Sequence, residues 1–190
     1  MKFLYPKMPR RKLQTVLAGA GMGLLVGGLY GIFHDLFTYS ISSEYFTHAK
    51  FHQFDWANMG LPPRLFAAEI GFIATGAFGF LCGYFLCRFA LPEEPPHQSF
   101  PKIITGFSII LLFAFIAGVI GYLLGARHTD DYSNWQDLCQ SLGITDIPAF
   151  VHVAYIHNAG YIGGLTGLVL GIVILRLWQR KTESEQAIAP

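Results

Sequence analysis

The sequence predicts an all-α fold, a four-helix transmembrane bundle made of two hairpins, and three observations carry that prediction. Charged residues are only 13% of the 190 residues and hydrophobic ones 53%, whereas an ordinary soluble domain carries about 25% charge. The mean hydropathy is +0.43. The missing charge is withdrawn from four long stretches rather than thinned evenly, and each reaches the ~20 helical residues that cross ~30 Å of hydrocarbon.

Those stretches are Leu13–Phe37, Leu65–Leu91, Ile103–Ala126 and Ala149–Trp178. Lipid offers backbone N–H and C=O groups no partner, so each stretch must close its own hydrogen bonds as a helix. Prolines mark the breaks: Pro62-Pro63 before the second stretch, Pro92, Pro95-Pro96 and Pro101 before the third, and Pro148 before the fourth. Proline at a helix start costs little, because that N–H has no intrahelical partner. Arg10-Arg11-Lys12 followed by an Ala/Gly-rich run imitates a secretory signal. The run is too long for one and flows into His34-Asp35 without a cleavage site, so an uncleaved span is expected.

Orientation follows from the cytoplasmic bias of Lys and Arg. Lys2, Lys7, Arg10, Arg11, Lys12, Arg88, Lys102, Arg176, Arg180 and Lys181 fall on one side, and only Lys50, Arg64 and Arg127 on the other. An even number of spans then places both termini in the cytoplasm. Two longer loops, 38–64 and 127–148, face outward from a single transmembrane domain covering 1–190. Net charge is +1 and no basic stripe with interleaved aromatics exists, which excludes a nucleic-acid binder. Cys82, Cys87 and Cys139 form no C-x-x-C, which argues against a redox dithiol and against c-type haem attachment.

Glycine is spaced in fours along every span. The first carries Gly19, Gly23, Gly27 and Gly31; the second Gly71, Thr75, Gly79 and Gly83; the third Ala117, Gly121 and Gly125; the fourth Gly163, Gly167 and Gly171. Residues four apart share a face, and small residues let helix backbones approach where lipid supplies little hydrophobic drive. A tight bundle is the direct expectation. A flat cofactor, a second copy of the chain or another membrane protein seated on these glycine-rich faces is the alternative.

The two halves share one plan. Shifting the first span by 94 residues puts Gly27 on Gly121, Gly31 on Gly125 and His34 on His128. Shifting the second by 88 puts Gly79 on Gly167, Gly83 on Gly171 and Glu69 on His157. A parallel duplication would relate the halves by an axis along the membrane normal.

Polar chemistry gathers at the outer side. His34, His48, His52, His128, His152 and His157 lie there, and only His97 lies inside. Asp35, Glu44, Asp55, Glu69, Asp130, Asp131, Asp137 and Asp146 also fall in the outer half. His34-Asp35, Glu69 and His157-Asn158 share a layer ~5–10 Å below the outer boundary at ~1.5 Å rise per residue. An ionisable group there costs about 2.5–3.5 kcal/mol to insert, so it faces the bundle interior and needs a partner.

One reading is a mixed imidazole/carboxylate site for Zn, Fe or Cu, built from His34, Asp35, Glu69 and His157 with His152 or Glu44 assisting. No E-x-x-H or H-E-x-x-H spacing accompanies it, and His152 lies ~140° from His157 on a straight helix. A second is a b-type haem between His34 and His157. A third is a proton or ion relay, disfavoured because no polar chain continues inward. The last is a hydrogen-bond network that fixes helix register.

In the first loop, Tyr45, Phe46, Phe51, Phe54 and Trp56 suit an aromatic belt at the interface. Ser42 or Ser43 with Glu44 can open a short helix, which would let the segment fold as a lid over the cluster with Glu44, His48 or His52 contributing. His48 and His52 are four apart and would share a helix face. Cys139 is a lone thiol in the second loop.

The stretch His34-Asp35-x-x-Thr38-Tyr39-Ser40-Ile41-Ser42-x-Glu44-Tyr45-Phe46-Thr47, followed by Lys50-Phe51-x-Gln53-Phe54, resembles a family of small, uncharacterised bacterial four-span membrane proteins. It departs from that pattern at Leu36, where a glutamine is common, and at His48-Ala49. The resemblance implies a bacterial inner-membrane protein and carries no activity with it.

Overall fold

A computed structural model of the chain describes residues 8–94, 96–127 and 132–188. In chain order the helices are α1 (Arg10–Ile41), a π-helical turn (Tyr45–Lys50) running into α2 (Phe51–Gln53), a 3-10 turn (Asp55–Ala57), α3 (Pro63–Ala90), α4 (Pro96–Arg127), α5 (Ser133–Leu142) and α6 (Ile147–Ile188). No strand occurs among the described residues. Four of the helices are long and apolar enough to cross a membrane: Arg10–Ile41, Pro63–Ala90, Pro96–Arg127 and Ile147–Lys181. The chain is a multi-pass membrane protein with an all-α four-helix bundle. Pro101, read from the sequence as part of a break, lies inside α4. His128, Asp130 and Asp131 of the second loop, and the N-terminal Lys2 and Lys7, lie outside the described residues.

The glycine ladders explain the two hairpins. A Cβ added at Gly31 would sit 2.0 Å from the Gly71 carbonyl oxygen, one at Gly23 2.1 Å from that of Gly79, and one at Gly83 2.1 Å from that of Gly19. Backbone therefore touches backbone along α1 and α3, and nothing larger than glycine fits. In the second hairpin Gly163 meets the Phe113 carbonyl, Gly121 that of Tyr155, and Gly125 the backbone of His152. The ladders are thus filled by the partner helix within each hairpin. Between hairpins, side chains do the packing: Leu86 enters over Gly106, Phe78 lies on Gly164 and Phe107 reaches Gly23.

The same registers test the duplication. Gly31 faces Gly71, so shifts of 94 and 88 would set Gly125 opposite Ala159. It faces His152 instead, seven residues or about two helical turns away. The plan of two zipped hairpins repeats, but those shifts do not superpose the pairings.

At one end, the last carbonyls of α3 have no intrahelical partners, and neighbouring helices supply them. Lys12, 5% exposed, donates to the carbonyls of Cys87 (2.8 Å) and Leu91. Arg176 donates to Phe89 (2.7 Å) and Gln179 to Ala90 (2.5 Å). Cations at a helix C-terminus also complement its dipole. Glu94 ties the following turn, accepting from Lys102 at 2.6 Å.

At the opposite end, the outer end in the charge reading, the two connections pack on each other. The Glu44 carboxylate accepts from the backbone N–H groups of Thr145 (3.0 Å) and Asp146 (2.9 Å) and from the Thr145 hydroxyl. Those hydrogen bonds hold Glu44 below the usual glutamate range. His48 donates through Nδ1 to the Leu142 carbonyl at 2.9 Å. Gly143 stops α5 at φ +68°, a left-handed cap that favours glycine. Cys139 is buried with Ile144, Phe150 and Val151, and burial raises its thiol above the ordinary cysteine value.

Candidate metal centre

His34, Asp35 and Thr38 occupy the last two turns of α1 at spacings of three and four, which put them on one side of the helix. The Gly31–Gly71 contact seats that part of α1 on α3, with the Asp35 Cβ only 3.0 Å from where a Gly71 Cβ would be. His157 comes from the other hairpin. It precedes the α4-facing Gly163 by six residues, about 120° round the helix, which turns it from α4 toward α1.

Asp35 and His157 are 4% and 6% exposed and Thr38 is fully buried. The His34 Nδ1 lies 3.0 Å from Asp35 Oδ1, and the His157 Nε2 lies 3.8 Å from the same oxygen. Thr38 Oγ1 is 3.2 Å from His157 Nε2. The two imidazoles meet edge to face, with centroids 4.6 Å apart.

The protons can be placed. Thr38 has one hydroxyl proton, donated to the His34 carbonyl at 3.0 Å, so at His157 it is the Nε2–H that donates to Thr38. That N–H also faces the Asp35 oxygen. A single carboxylate oxygen between two N–H groups is an acceptor arrangement, with the His34 Nδ1–H donating to Asp35 and the other ring nitrogen of His34 making no hydrogen bond among the described residues.

Two loop side chains roof the cluster. Tyr45 stacks on the His157 ring at 4.9 Å, and Phe46, fully buried, stands edge-on to it at 6.0 Å. Burial raises the Tyr45 phenol far above its ordinary value, keeping it neutral. The first loop does fold over the cluster, but through these aromatics rather than Glu44, His48 or His52. Glu44 is spent on the start of α6, His48 on Leu142, and His52 is exposed. Trp56, 75% exposed, keeps the character of an interfacial belt residue.

The structure brings together His34, Asp35 and His157: one ligand atom from each lies within 4.8 Å of the others. Glu69 and His152 stay outside that group. Glu69 lies at the same depth, since the Gly31–Gly71 pairing sets it level with Phe33, and its Oε2 is buried without a hydrogen-bond partner. His152 packs on Tyr122, centroids 4.5 Å apart, and its Nε2 is likewise buried and unpartnered. Thr38 and Tyr45 are the members that ligand-type reasoning missed. The signal for Thr38 was its spacing of four from His34.

Donor chemistry suits a borderline ion, two imidazoles and a carboxylate. Two ligands on one ion with ~2.1 Å bonds stand at most ~4.2 Å apart. The 3.0 Å and 3.8 Å separations already satisfy that limit, whereas the widest, 4.8 Å, requires a small side-chain rotation. Binding through His34 Nδ1 and His157 Nε2 also requires each ring proton to move to the other nitrogen, and Thr38 to give up its contact. A haem is not accommodated in this arrangement, because the imidazoles touch directly and leave no gap for a porphyrin.

Comparison with protein-family models, with curated proteins and with solved structures gave no match. The function is therefore argued from the site itself.

Proposed function

We propose that this chain is a bacterial inner-membrane protein that holds one transition-metal ion, Zn, Fe or Cu, between its two hairpins near the outer face. His34, Asp35 and His157 are the protein ligands, and both termini lie in the cytoplasm. The observation that carries the reading is the convergence of three ligand-type side chains from both hairpins within 4.8 Å, at a depth where an unpaired charge is expensive. The Tyr45–Phe46 roof covers the His157 ring, and burial there strengthens electrostatic interactions. The orientation rests on the lysine and arginine asymmetry, and the bacterial assignment on the family resemblance.

Elemental analysis of protein purified in mild detergent is the test. About one metal per chain is expected, with loss in His157→Ala. No stoichiometric metal in the wild type, or unchanged content in His157→Ala, overturns the reading.

A second reading has its own support. Without an ion the cluster is already hydrogen-bonded, His34 to Asp35 and His157 to Thr38, which suits a non-enzymatic accessory protein whose polar cluster fixes helix register. It requires a stable membrane-protein partner in mild-detergent pull-downs, and a strictly solitary chain would count against it.

A further inference from the structure

On the inner side of the cluster, where the two hairpins meet through side chains, the bundle is not filled. A cavity of about 50 Å³ lies there, and all four membrane-crossing helices line it, with Tyr30 from α1, Phe78 from α3, Ile110 from α4 and Gly160 from α6 among its walls. His34 and His157 both border it and Asp35 does not, so it approaches the cluster from the imidazole side. Gly160 stands one turn beyond His157, and a Cβ added there meets nothing within 4 Å. Helix packing therefore gives no reason for glycine at that position; the space beside it is this cavity.

Three properties define the occupant. The volume lies between the ~10–15 Å³ that admits one water and the ~150 Å³ of a cavity that takes up benzene, which excludes a ring and admits a molecule of two or three atoms. The wall is chiefly hydrocarbon, as Phe78 and Ile110 show, and a charge at membrane depth is costly, so the occupant is neutral. Small neutral gases dissolve better in hydrocarbon than in water, which makes the bilayer their source. The donor set beside the cavity supplies the third property. Two imidazoles and one carboxylate leave coordination positions open, the ligand pattern with which proteins hold non-haem Fe(II) for dioxygen chemistry.

We propose that the ion of this site is iron(II) and that its substrate is a small neutral diatomic gas, of the class of dioxygen and nitric oxide, received through this cavity. The inference rests on the metal reading above and narrows it, since zinc binds no such gas.

Two experiments on the full chain test it. Crystals of chelator-treated protein pressurised with xenon, a neutral atom of comparable size, should show an anomalous scatterer in the cavity; this arm needs no metal. Anaerobic protein in nanodiscs is loaded with iron(II), and its iron content is measured first. Nitric oxide should then give the electron paramagnetic resonance of a non-haem iron nitrosyl in proportion to the bound iron, with His157→Ala as the background. Gly160→Leu fills the cavity without removing a ligand, so it should keep its iron and its helical circular dichroism but lose both the xenon and the nitrosyl signal. Should Gly160→Leu not fold, the wild-type results decide alone. Absence of xenon from the cavity overturns the proposal. So does iron-loaded wild type without a nitrosyl signal, or an undiminished signal in a folded Gly160→Leu. A chain that holds zinc or copper but not iron(II) overturns it and leaves the metal reading intact, whereas one that holds no metal sinks both.

Discussion

Gly31→Ala adds one methyl group where, among the described glycines, a Cβ would come nearest to another helix. The new Cβ would lie 2.0 Å from the Gly71 carbonyl oxygen and 2.6 Å from its carbonyl carbon. A carbon–oxygen contact settles at about 3.3 Å, so α1 and α3 must part by about 1 Å there. Both offending atoms are backbone, and no rotamer change can absorb the clash. Overpacking of this kind costs about 1–3 kcal/mol, and the helix-propensity gain of alanine over glycine returns about 0.5–1 kcal/mol. Subtraction leaves a net loss of roughly 0–2.5 kcal/mol, centred on about 1 kcal/mol. Gly21→Ala is the control, since its Cβ meets nothing within 4 Å; only the propensity gain remains. Reversible unfolding in mixed micelles of increasing SDS fraction measures both. Equal stability of Gly31→Ala and Gly21→Ala would refute backbone contact as the reason for glycine at position 31.

Other outcomes follow from the same geometry. Thr38→Val should destabilise the metal-free protein by about 1–3 kcal/mol, the cost of leaving a buried donor unsatisfied, yet leave metal content unchanged because Thr38 supplies no ligand; SDS unfolding with and without chelator measures the first and elemental analysis the second. Lys12→Met should cost about 1–3 kcal/mol by stripping the cap from α3, with amide exchange near Leu91 rising before that at the outer end. Glu44 is held below the ordinary glutamate value in the folded protein, so its clamp on Thr145 and Asp146 is complete above that ordinary value and lost as pH falls through the lowered folded value. Exchange of the Thr145 and Asp146 amides, corrected for intrinsic rates, should accelerate only below about pH 4.5. Glu44→Gln should show no such pH step.

Much of this fold was legible in the sequence, because lipid leaves the backbone few choices. Length and missing charge announced four helices, and glycine at every fourth position announced close approach. Which ladder faces which was not legible: the pairing of Gly31 with Gly71 is a matter of register, and glycines aligned by spacing alone suggested a duplication that the packing does not follow. The helix α5 was missed although its signals were present, with Trp135, Leu138, Cys139 and Leu142 on one face and Gly143 as the stop. Search for long apolar runs does not detect ten residues that are only amphipathic. In the site, His34, Asp35 and His157 were readable from depth and residue type. Glu69 has the same depth but remains outside the group, since depth says nothing of the direction a side chain takes round its helix. Glu44 was a candidate ligand by charge, and its place at the start of α6 depended on a contact across about a hundred residues.

The central claim is that one ion bridges the two hairpins through two imidazoles and a carboxylate. X-ray absorption at the edge of whichever metal copurifies tests it most directly. The expected spectrum shows nitrogen and oxygen ligands at ~2.0–2.2 Å, with the multiple scattering of two imidazoles, falling to one in His34→Ala. A spectrum with no imidazole contribution, or one unaltered in His34→Ala, would contradict the account.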